Sequence, residues 1–173
     1  MIMMIELPDY ARVIRTLGCG VHPYRLLLPK FEESPVARRI EPRAAQLGPL
    51  MDAARVRIKP GEGYLWVDVK TPAIVLIEEY YRLANPLDLY LDLAHELTHL
   101  RQLSEGKDLW DHSFDYVDRP TEVEAYAVAV EEGLRLGMAE SQIIHHLSNP
   151  WLCGREVDRL RKNIECFLAN LPQ

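Results

Sequence analysis

The chain has 173 residues, of which 48% are hydrophobic and 27% are charged, so it can bury a substantial core and is not a disordered polypeptide. Its net charge of −6 and pI near 5.5 disfavour binding to nucleic acid, which requires a positive surface. We therefore expect a single folded domain over residues 1–173 that has no nucleic-acid partner.

The N-terminus and the cysteines indicate the compartment. The apolar opening segment ends at Glu6, too soon for a signal peptide, and no segment suggests a membrane anchor. Cys19, Cys153 and Cys166 form neither the even set of a secreted disulfide scaffold nor a CxxC zinc motif. We expect a cytoplasmic protein without a membrane partner, whose cysteines are reduced residues of the core. The sequence indicates no particular oligomeric state.

The first third of the chain is predicted to form short elements. They are a helix over residues 8–17, a strand over 21–28, and a helical segment over 34–54 that breaks or kinks at Pro42, Gly48 and Pro49. None of these elements carries a pattern of chemically active side chains.

Alternating apolar residues predict a sheet in the next segment. They lie on both sides of a turn at 60–63, and they are Val56, Ile58, Leu65, Val67 and Val69. This pattern predicts a β-hairpin. The β-branched run at 73–77 predicts a third strand, so the expected sheet is small and mainly antiparallel.

The second half of the chain is predicted to be helical. Asn85 and Pro86 favour a helix start, and that helix should run to about Leu103. Three further helices are predicted over residues 120–136, 139–148 and 154–169. The expected fold class is therefore α+β, with a small mainly antiparallel sheet followed by a helical half.

Residues 95–99 read His-Glu-Leu-Thr-His in the middle of the predicted helix over 85–103. Side chains at i and i+4 point the same way on a helix, so His95 and His99 can bind one Zn2+ ion. Glu96 lies between them, where it can act as general base towards a water that zinc acidifies. This spacing predicts a catalytic zinc site.

A catalytic zinc ion usually takes three protein ligands, so a third ligand is expected after His99. The extended three-histidine motif requires glycine and histidine where this chain has Gln102 and Glu105, so that version is excluded. The remaining candidates are Asp111, His112, Asp115, Glu122 and Glu124.

Helical periodicity favours Glu122 among these candidates. Glu122 lines up with Tyr126, Ala129 and Gly133, an apolar and partly small stripe that suits packing against another helix. Glu124 falls on a predicted solvated face with Glu131, Glu132 and Arg135, and it completes the predicted capping box with Thr121. Glu124 nevertheless stays open as the second choice.

The motif at 95–99, followed by Glu-x-x-Ala on the next helix, resembles the gluzincin metallopeptidases, especially their minimal single-domain members. The resemblance covers about residues 73–136 and implies a zincin-like fold. It also implies that His95, His99 and Glu122 bind zinc and that Glu96 is the general base.

This chain departs from the gluzincin pattern at Tyr126. Many gluzincins have an aspartate there, four residues after the ligand glutamate, which orients a histidine. We expect Asp92 or a backbone carbonyl to orient a histidine instead. Candidates for stabilising an oxyanion are His112, Tyr116, Tyr126 and His145.

The leading expectation is zinc-dependent hydrolysis of a peptide bond in a peptide or protein substrate. The alternative is a noncatalytic or regulatory zinc-binding module that uses the same ligands. A further alternative is a protein that binds no metal, in which His95 and His99 are surface residues of an acidic helix. The predicted C-terminal helix from residue 154 could also cover the cleft and keep the enzyme latent.

Overall fold

The computed structural model describes residues 5–171 and has an α+β fold, as predicted. Its strands are β1 (Gly20–Pro23), β2 (Arg55–Lys59), β3 (Leu65–Asp68) and β4 (Ala73–Ile77). Its helices are α1 (Tyr24–Leu27), α2 (Pro35–Ile40), α3 (Ala44–Ala53), α4 (Glu78–Leu83), α5 (Pro86–Ser104), α6 (Pro120–Arg135), α7 (Glu140–Leu147) and α8 (Gly154–Ala169). Short 3-10 turns lie at Asp9–Ala11, Phe31–Glu33 and Tyr116–Asp118.

The four strands form one mainly antiparallel sheet in the order β1-β2-β4-β3. β1 pairs antiparallel with β2, and β3 pairs antiparallel with β4, whereas β2 and β4 are parallel. The predicted hairpin between β2 and β3 is therefore wrong. All five residues of β4 are buried. This apolar strand lies between β2 and β3, where both of its edges are paired.

The sheet ends at β3, which contacts α5. β3 pairs with β4 through one edge, with Trp66 opposite Val75, and β3 is the last strand in the sheet order. The helix that carries the 95–99 motif therefore lies beside an edge strand.

Helix α5 confirms the prediction for residues 85–103 within one residue at its C-terminal end. The Asn85 side chain caps it by accepting a hydrogen bond from the backbone N–H of Leu87 at 2.9 Å. The helical period places Leu89, Leu93, Leu97 and Leu100 on one stripe of α5, and this leucine stripe is buried. His95 and His99 are buried as well, so they do not lie on a solvated helix face.

Helix α6 packs along α5 through the predicted stripe that contains Glu122, Tyr126, Ala129 and Gly133, all of which are buried. A Cβ atom at Gly133 would lie 3.3 Å from Leu91 Cδ1 of α5 and 2.6 Å from Met138 Sδ, so glycine leaves room for both side chains.

The predicted role of Glu124 in a capping box is wrong. Arg119 is the N-cap of α6, and the hydroxyl of Thr121, the second residue of the helix, has no hydrogen-bond partner. The predicted solvated face is also partly wrong, because Glu132 is buried and accepts a hydrogen bond from Tyr90 Oη at 2.9 Å.

The predicted helix over residues 8–17 is wrong beyond its first turn. The backbone there makes long-range hydrogen bonds: the N–H of Ile14 donates to the carbonyl of Leu27 at 2.8 Å, and the N–H of Leu17 donates to the Tyr81 hydroxyl at 3.2 Å. Such partners replace the local bonds that a helix would need. The predicted strand over 21–28 is β1 only in its first part, because α1 follows at Tyr24.

The predictions for the segment 34–54 and for the cysteines are each partly wrong. Pro42 separates α2 from α3 as predicted, but α3 continues through Gly48 and Pro49. Cys19, Cys153 and Cys166 are free, as expected, but all three are exposed and do not belong to the core.

Across residues 5–171, none of the helices combines the length and the apolar composition that a membrane crossing requires.

Candidate metal centre

Helices α5 and α6 bring the side chains of His95, His99 and Glu122 together, and these residues are 5–7% exposed. The two histidine Nε2 atoms lie 3.0 Å apart. Glu122 Oε2 lies 3.5 Å from each of them. Three ligand atoms of the kinds that bind transition metals therefore converge on one point.

The spacing of these three atoms fits a zinc ion. Zinc binds nitrogen and oxygen ligands at about 2.0–2.1 Å, which separates neighbouring ligand atoms by about 3.3 Å in a tetrahedron. The separations of 3.0, 3.5 and 3.5 Å lie close to that value. A set of two imidazoles and one carboxylate also suits zinc chemically.

Unsatisfied polar atoms are a second sign that these residues fit a metal. Glu122 Oε2 is buried without a hydrogen-bond partner, and so are His95 Nδ1 and Glu96 Oε2. Buried polar atoms normally have partners, because an unpaired one costs about 1–3 kcal/mol. A cation between the ligands would satisfy Glu122 Oε2.

The electrostatics differ between the two histidines. Burial lowers the pKa of His95, which favours its neutral, metal-binding form. Burial also opposes protonation of His99, but the Glu122 carboxylate outweighs it and raises the pKa of His99 to about 9. Glu122 is itself buried, yet the two histidines hold its pKa well below the usual range. In the metal-free chain, the Glu122 carboxylate therefore favours the protonated form of His99.

Glu96 is not one of the three converging ligands. It lines a cleft of about 320 Å³ that His95 also lines. Burial raises the pKa of Glu96 to about 8. A carboxyl group with a pKa near neutrality suits the transfer of a proton.

The cleft is lined by several parts of the chain. They include α5, the 3-10 turn at Tyr116, and α7 with residues 148–151. Tyr64 and Leu65, at the start of β3, form the side next to the sheet edge. Tyr64 packs edge-on against both Tyr80 and Trp151, with ring centroids at 5.3 and 6.0 Å.

Three of the four predicted oxyanion candidates line the cleft, namely Tyr116, Tyr126 and His145. His112 is exposed and is not part of the cleft lining. The Tyr126 hydroxyl accepts a hydrogen bond from Asn149 Nδ2 at 2.6 Å and lies 2.9 Å from the Tyr116 hydroxyl. Asn149 was missed by the sequence reasoning, since it belongs to the connection after α7 and carries no motif.

Of the five candidates for the third ligand, Glu122 is the one that joins the two histidines. Asp111 accepts a hydrogen bond from the backbone N–H of Ser113 at 2.9 Å. Asp115 pairs with Arg159. Glu124 accepts a hydrogen bond from Gln102 at 2.7 Å. His112 and these other candidates lie outside the cluster.

The expectation that Asp92 or a backbone carbonyl orients a histidine of the cluster is wrong for His99. The partner of His99 Nδ1 is Gln102 Oε1, at 2.8 Å. Asp92 instead accepts a hydrogen bond from the Tyr80 hydroxyl. Tyr126, at the position of the gluzincin aspartate, packs its ring edge-on against His95, with centroids 4.3 Å apart.

His146, Asp88 and Asp92 form a second cluster on the cleft, here called the His146 cluster. The sequence analysis did not predict it. His146, whose side chain is 4% exposed, has its Nδ1 atom 3.1 Å from Asp88 Oδ1 and its Nε2 atom 3.7 Å from Asp92 Oδ1. Helix α7 carries His146 back to the first turns of α5, and the sequence pattern contained no signal for this long-range contact.

The C-terminal helix does not have the covering position considered from the sequence. α8 packs against α6 and α7, and the cleft wall nearest to it in sequence is the connection 148–151. Cys153 is exposed and is not part of the cleft lining.

The chain matches no protein-family model, no curated protein sequence and no solved structure. The candidate metal site therefore rests on the positions of His95, His99 and Glu122 in this chain.

Proposed function

We propose that the chain is a zinc-dependent peptidase in which His95, His99 and Glu122 hold the metal and Glu96 is the general base. One observation carries the proposal: three ligand atoms at zinc spacing converge, and one of these ligands, His95, lines a cleft together with the buried carboxyl group of Glu96.

The number of ligands supports a catalytic site over a structural one. Structural zinc sites are usually closed by four protein ligands, whereas catalytic sites use three and leave a position for water or substrate. The metal-capable group within residues 5–171 has three members, and one of them, His95, lines the cleft. A substrate that enters this cleft would reach the free position.

Glu96 has the position and the ionisation behaviour of a general base. When bound, a zinc ion supplies a Lewis acid that acidifies water and polarises a carbonyl group. The positive charge would favour the ionised form of Glu96, which burial disfavours in the metal-free chain. Glu96 would then take a proton from the attacking water and deliver it to the leaving amine.

Tyr116 is the best-supported donor to an oxyanion. Asn149 donates to the Tyr126 hydroxyl, so Tyr126 can donate its own proton to Tyr116. The Tyr116 proton is then free to point into the cleft, where charge would develop on the carbonyl oxygen.

The edge strand β3 suits an extended peptide substrate. Its outer edge has no partner strand in the sheet order, and its first residue, Leu65, lines the cleft. Extended peptides bind to such edges through backbone hydrogen bonds. A peptide paired with β3 would run past Glu96 and the metal ligands, which supports a peptide or protein as the substrate class.

The decisive experiment compares the parent protein with Glu96→Gln after both are loaded with zinc. Each is incubated with a pool of mixed-sequence peptides, and the products are identified by mass spectrometry. We expect cleavage by the parent and a loss of about 100- to 10,000-fold in the variant, the usual range for removal of a general base. Zinc content should stay at one per chain in both proteins.

Each alternative result has a distinct meaning. Cleavage that survives Glu96→Gln would remove Glu96 from the mechanism. A parent that binds zinc but cleaves no peptide would favour the noncatalytic module. A parent that binds no zinc would contradict the proposed site.

A further inference from the structure

Gln102 lies one turn after His99 on α5 and is completely buried. Its amide makes three hydrogen bonds. Nε2 donates to the backbone carbonyl of Thr121 at 3.0 Å and to Glu124 Oε2 at 2.7 Å. Oε1 lies 2.8 Å from His99 Nδ1.

These contacts determine the orientation of the Gln102 amide. The Thr121 carbonyl and the Glu124 carboxylate accept hydrogen bonds and cannot donate them, so the NH2 group must face them. The amide oxygen is left to face His99, and it can only accept. The Nδ1 atom of His99 must therefore carry a hydrogen.

This arrangement has a direct consequence for metal binding. A neutral imidazole carries one hydrogen, so a hydrogen on Nδ1 leaves Nε2 with a free lone pair. The Nε2 atom of His99 is the one that faces His95 and Glu122. Gln102 thus selects the form of His99 that can bind a cation at this cluster.

Glu124 is held in place for this contact. Its Oε1 atom accepts a hydrogen bond from Arg101 Nη2, and its Oε2 atom lies 3.2 Å from Lys107 Nζ. The side chain is therefore a carboxylate, which is a pure acceptor.

We propose that Gln102 and Glu124 are positioning residues that keep His99 in its metal-binding tautomer. The proposal deepens the proposed function, because it rests on His99 being a ligand at the same site. It also gives the two glutamates of α6 different roles. Glu122 would bind the metal directly, whereas Glu124 would influence metal binding through Gln102 and His99.

Removal of the Glu124 carboxylate removes one of the two acceptors that fix the orientation of the Gln102 amide. The Gln102 amide can then turn and present an N–H group to His99 Nδ1, which moves the imidazole hydrogen to Nε2 and blocks the lone pair. The Thr121 carbonyl still opposes this rotation, so removal of Glu124 should have a smaller effect than removal of Gln102.

The first test measures zinc dissociation constants by competition with a chromophoric chelator. Gln102→Met keeps the length of the side chain and removes the amide, and we expect about 10- to 100-fold weaker binding, the usual cost of losing a partner of a metal-binding histidine. Glu124→Met should weaken binding by about 10-fold, the lower end of that range. Glu124→Gln retains an acceptor oxygen and should stay within about threefold.

A matched control is available at Glu105. It forms ion pairs with Arg101 and Lys107, as Glu124 does, but the partners of the Gln102 amide are His99, Thr121 and Glu124. Glu105 contacts Gln102 through a backbone hydrogen bond, which a change of its side chain leaves in place. Glu105→Gln should leave the zinc affinity within about threefold of the parent. The proposal fails if Glu124→Met binds zinc like the parent, or if Glu105→Gln weakens binding as much as Glu124→Met does.

The second test observes the tautomer without zinc and without activity. Nitrogen-15 NMR of labelled histidines distinguishes the two neutral tautomers, and a pH of 10 lies above the His99 pKa of about 9. We expect the Nδ1–H form of His99 in the parent and in Glu124→Gln, and a shift towards the Nε2–H form in Glu124→Met. An Nε2–H form in the parent would overturn the proposal. The Nδ1–H form in a parent that binds no zinc would instead count against the proposed function alone.

Discussion

The cleft carries two clusters of buried histidines and carboxylates, and they differ in how their polar atoms are satisfied. In the metal cluster, defined as His95, His99 and Glu122, the Glu122 Oε2 atom is buried without a hydrogen-bond partner. In the His146 cluster, His146 Nδ1 hydrogen bonds with Asp88 at 3.1 Å, and Asp92 accepts from the Tyr80 hydroxyl.

This difference separates a ligand set from an ion-pair network. The acceptors of the His146 cluster receive hydrogens from other side chains, so the protein itself balances their charge. The metal cluster aims three potential ligand atoms at one point, and a cation there would balance them. Buried histidines next to carboxylates therefore indicate a metal only when their ligand atoms converge and stay unsatisfied.

The largest expected effect tests this distinction at His99. Structural zinc sites in small peptides bind with about 10–16 kcal/mol, shared among four ligands, and a similar share for His99 means that His99→Ala should weaken zinc binding by about 1,000-fold. The measurement is the zinc content of untagged protein by elemental analysis, together with a chelator competition. We expect one zinc per chain in the parent and none in the variant.

His145→Ala is the control for this substitution. His145 also lines the cleft, but it is exposed and lies outside the metal cluster. Its removal should leave the zinc content unchanged. Equal loss of zinc in the two variants would mean that the metal binds to the cleft wall and not to the converging ligands.

The second prediction concerns the pH dependence of zinc binding. His99 has a pKa of about 9 in the metal-free chain, so near neutral pH zinc must displace a proton from it. The pKa values of His95 and Glu122 are lowered, so these two ligands are already deprotonated. Affinity should therefore fall as the pH falls, by about 100-fold between pH 8 and pH 6 for the one proton on His99.

Glu96 can add to the slope of zinc affinity against pH. Its pKa is about 8, so zinc binding would also favour release of its proton. The Glu96→Gln variant removes that contribution and should show a slope of about one proton per zinc. Chelator competition over the same pH range measures both slopes. A zinc affinity that is constant from pH 6 to pH 8 would contradict the assignment of His99 as a protonated ligand.

Local patterns predicted the metal cluster, whereas long-range packing decided the rest of the site. The Asn85 cap, the leucine stripe and the 95–99 motif all lie within one helix, so they were readable from the sequence. Glu122 was found because its neighbours on α6 are mostly small or apolar and pack against α5. Each of these signals is local to one helix.

The order of the strands and the outer parts of the cleft depend on contacts between distant segments. β4 separates β2 from β3, and no feature of the turn at 60–63 could reveal that. Asn149 and His146 reach the cleft because α7 folds back towards α5. The contact between Gln102 and Glu124 likewise required the positions of two helices. Periodicity places a side chain on a face of its element but does not identify its partner.

The smallest expected effect on zinc binding is at His146. The comparison of the two clusters predicts that His146 stabilises the fold and does not bind the metal. His146→Gln should change the zinc affinity by less than about twofold, since the residue is not a ligand. It should lower the free energy of unfolding by about 1–2 kcal/mol at pH 5.5, because a buried charged hydrogen bond to Asp88 is lost. Chemical denaturation in the presence of a chelator measures this without a contribution from bound zinc.

The pH dependence of that loss identifies its cause. Burial lowers the pKa of His146, but Asp88 and Asp92 outweigh it and raise the pKa above the ordinary value. A raised folded-state pKa means that the stabilisation is fully present below the unfolded value of about 6.5 and is lost as the pH rises through the folded value. The difference between parent and His146→Gln should therefore shrink from pH 5.5 to pH 9. A difference that stays constant over this range would assign the loss to packing, and a large loss of zinc would place His146 in the metal site and remove the distinction between the two clusters.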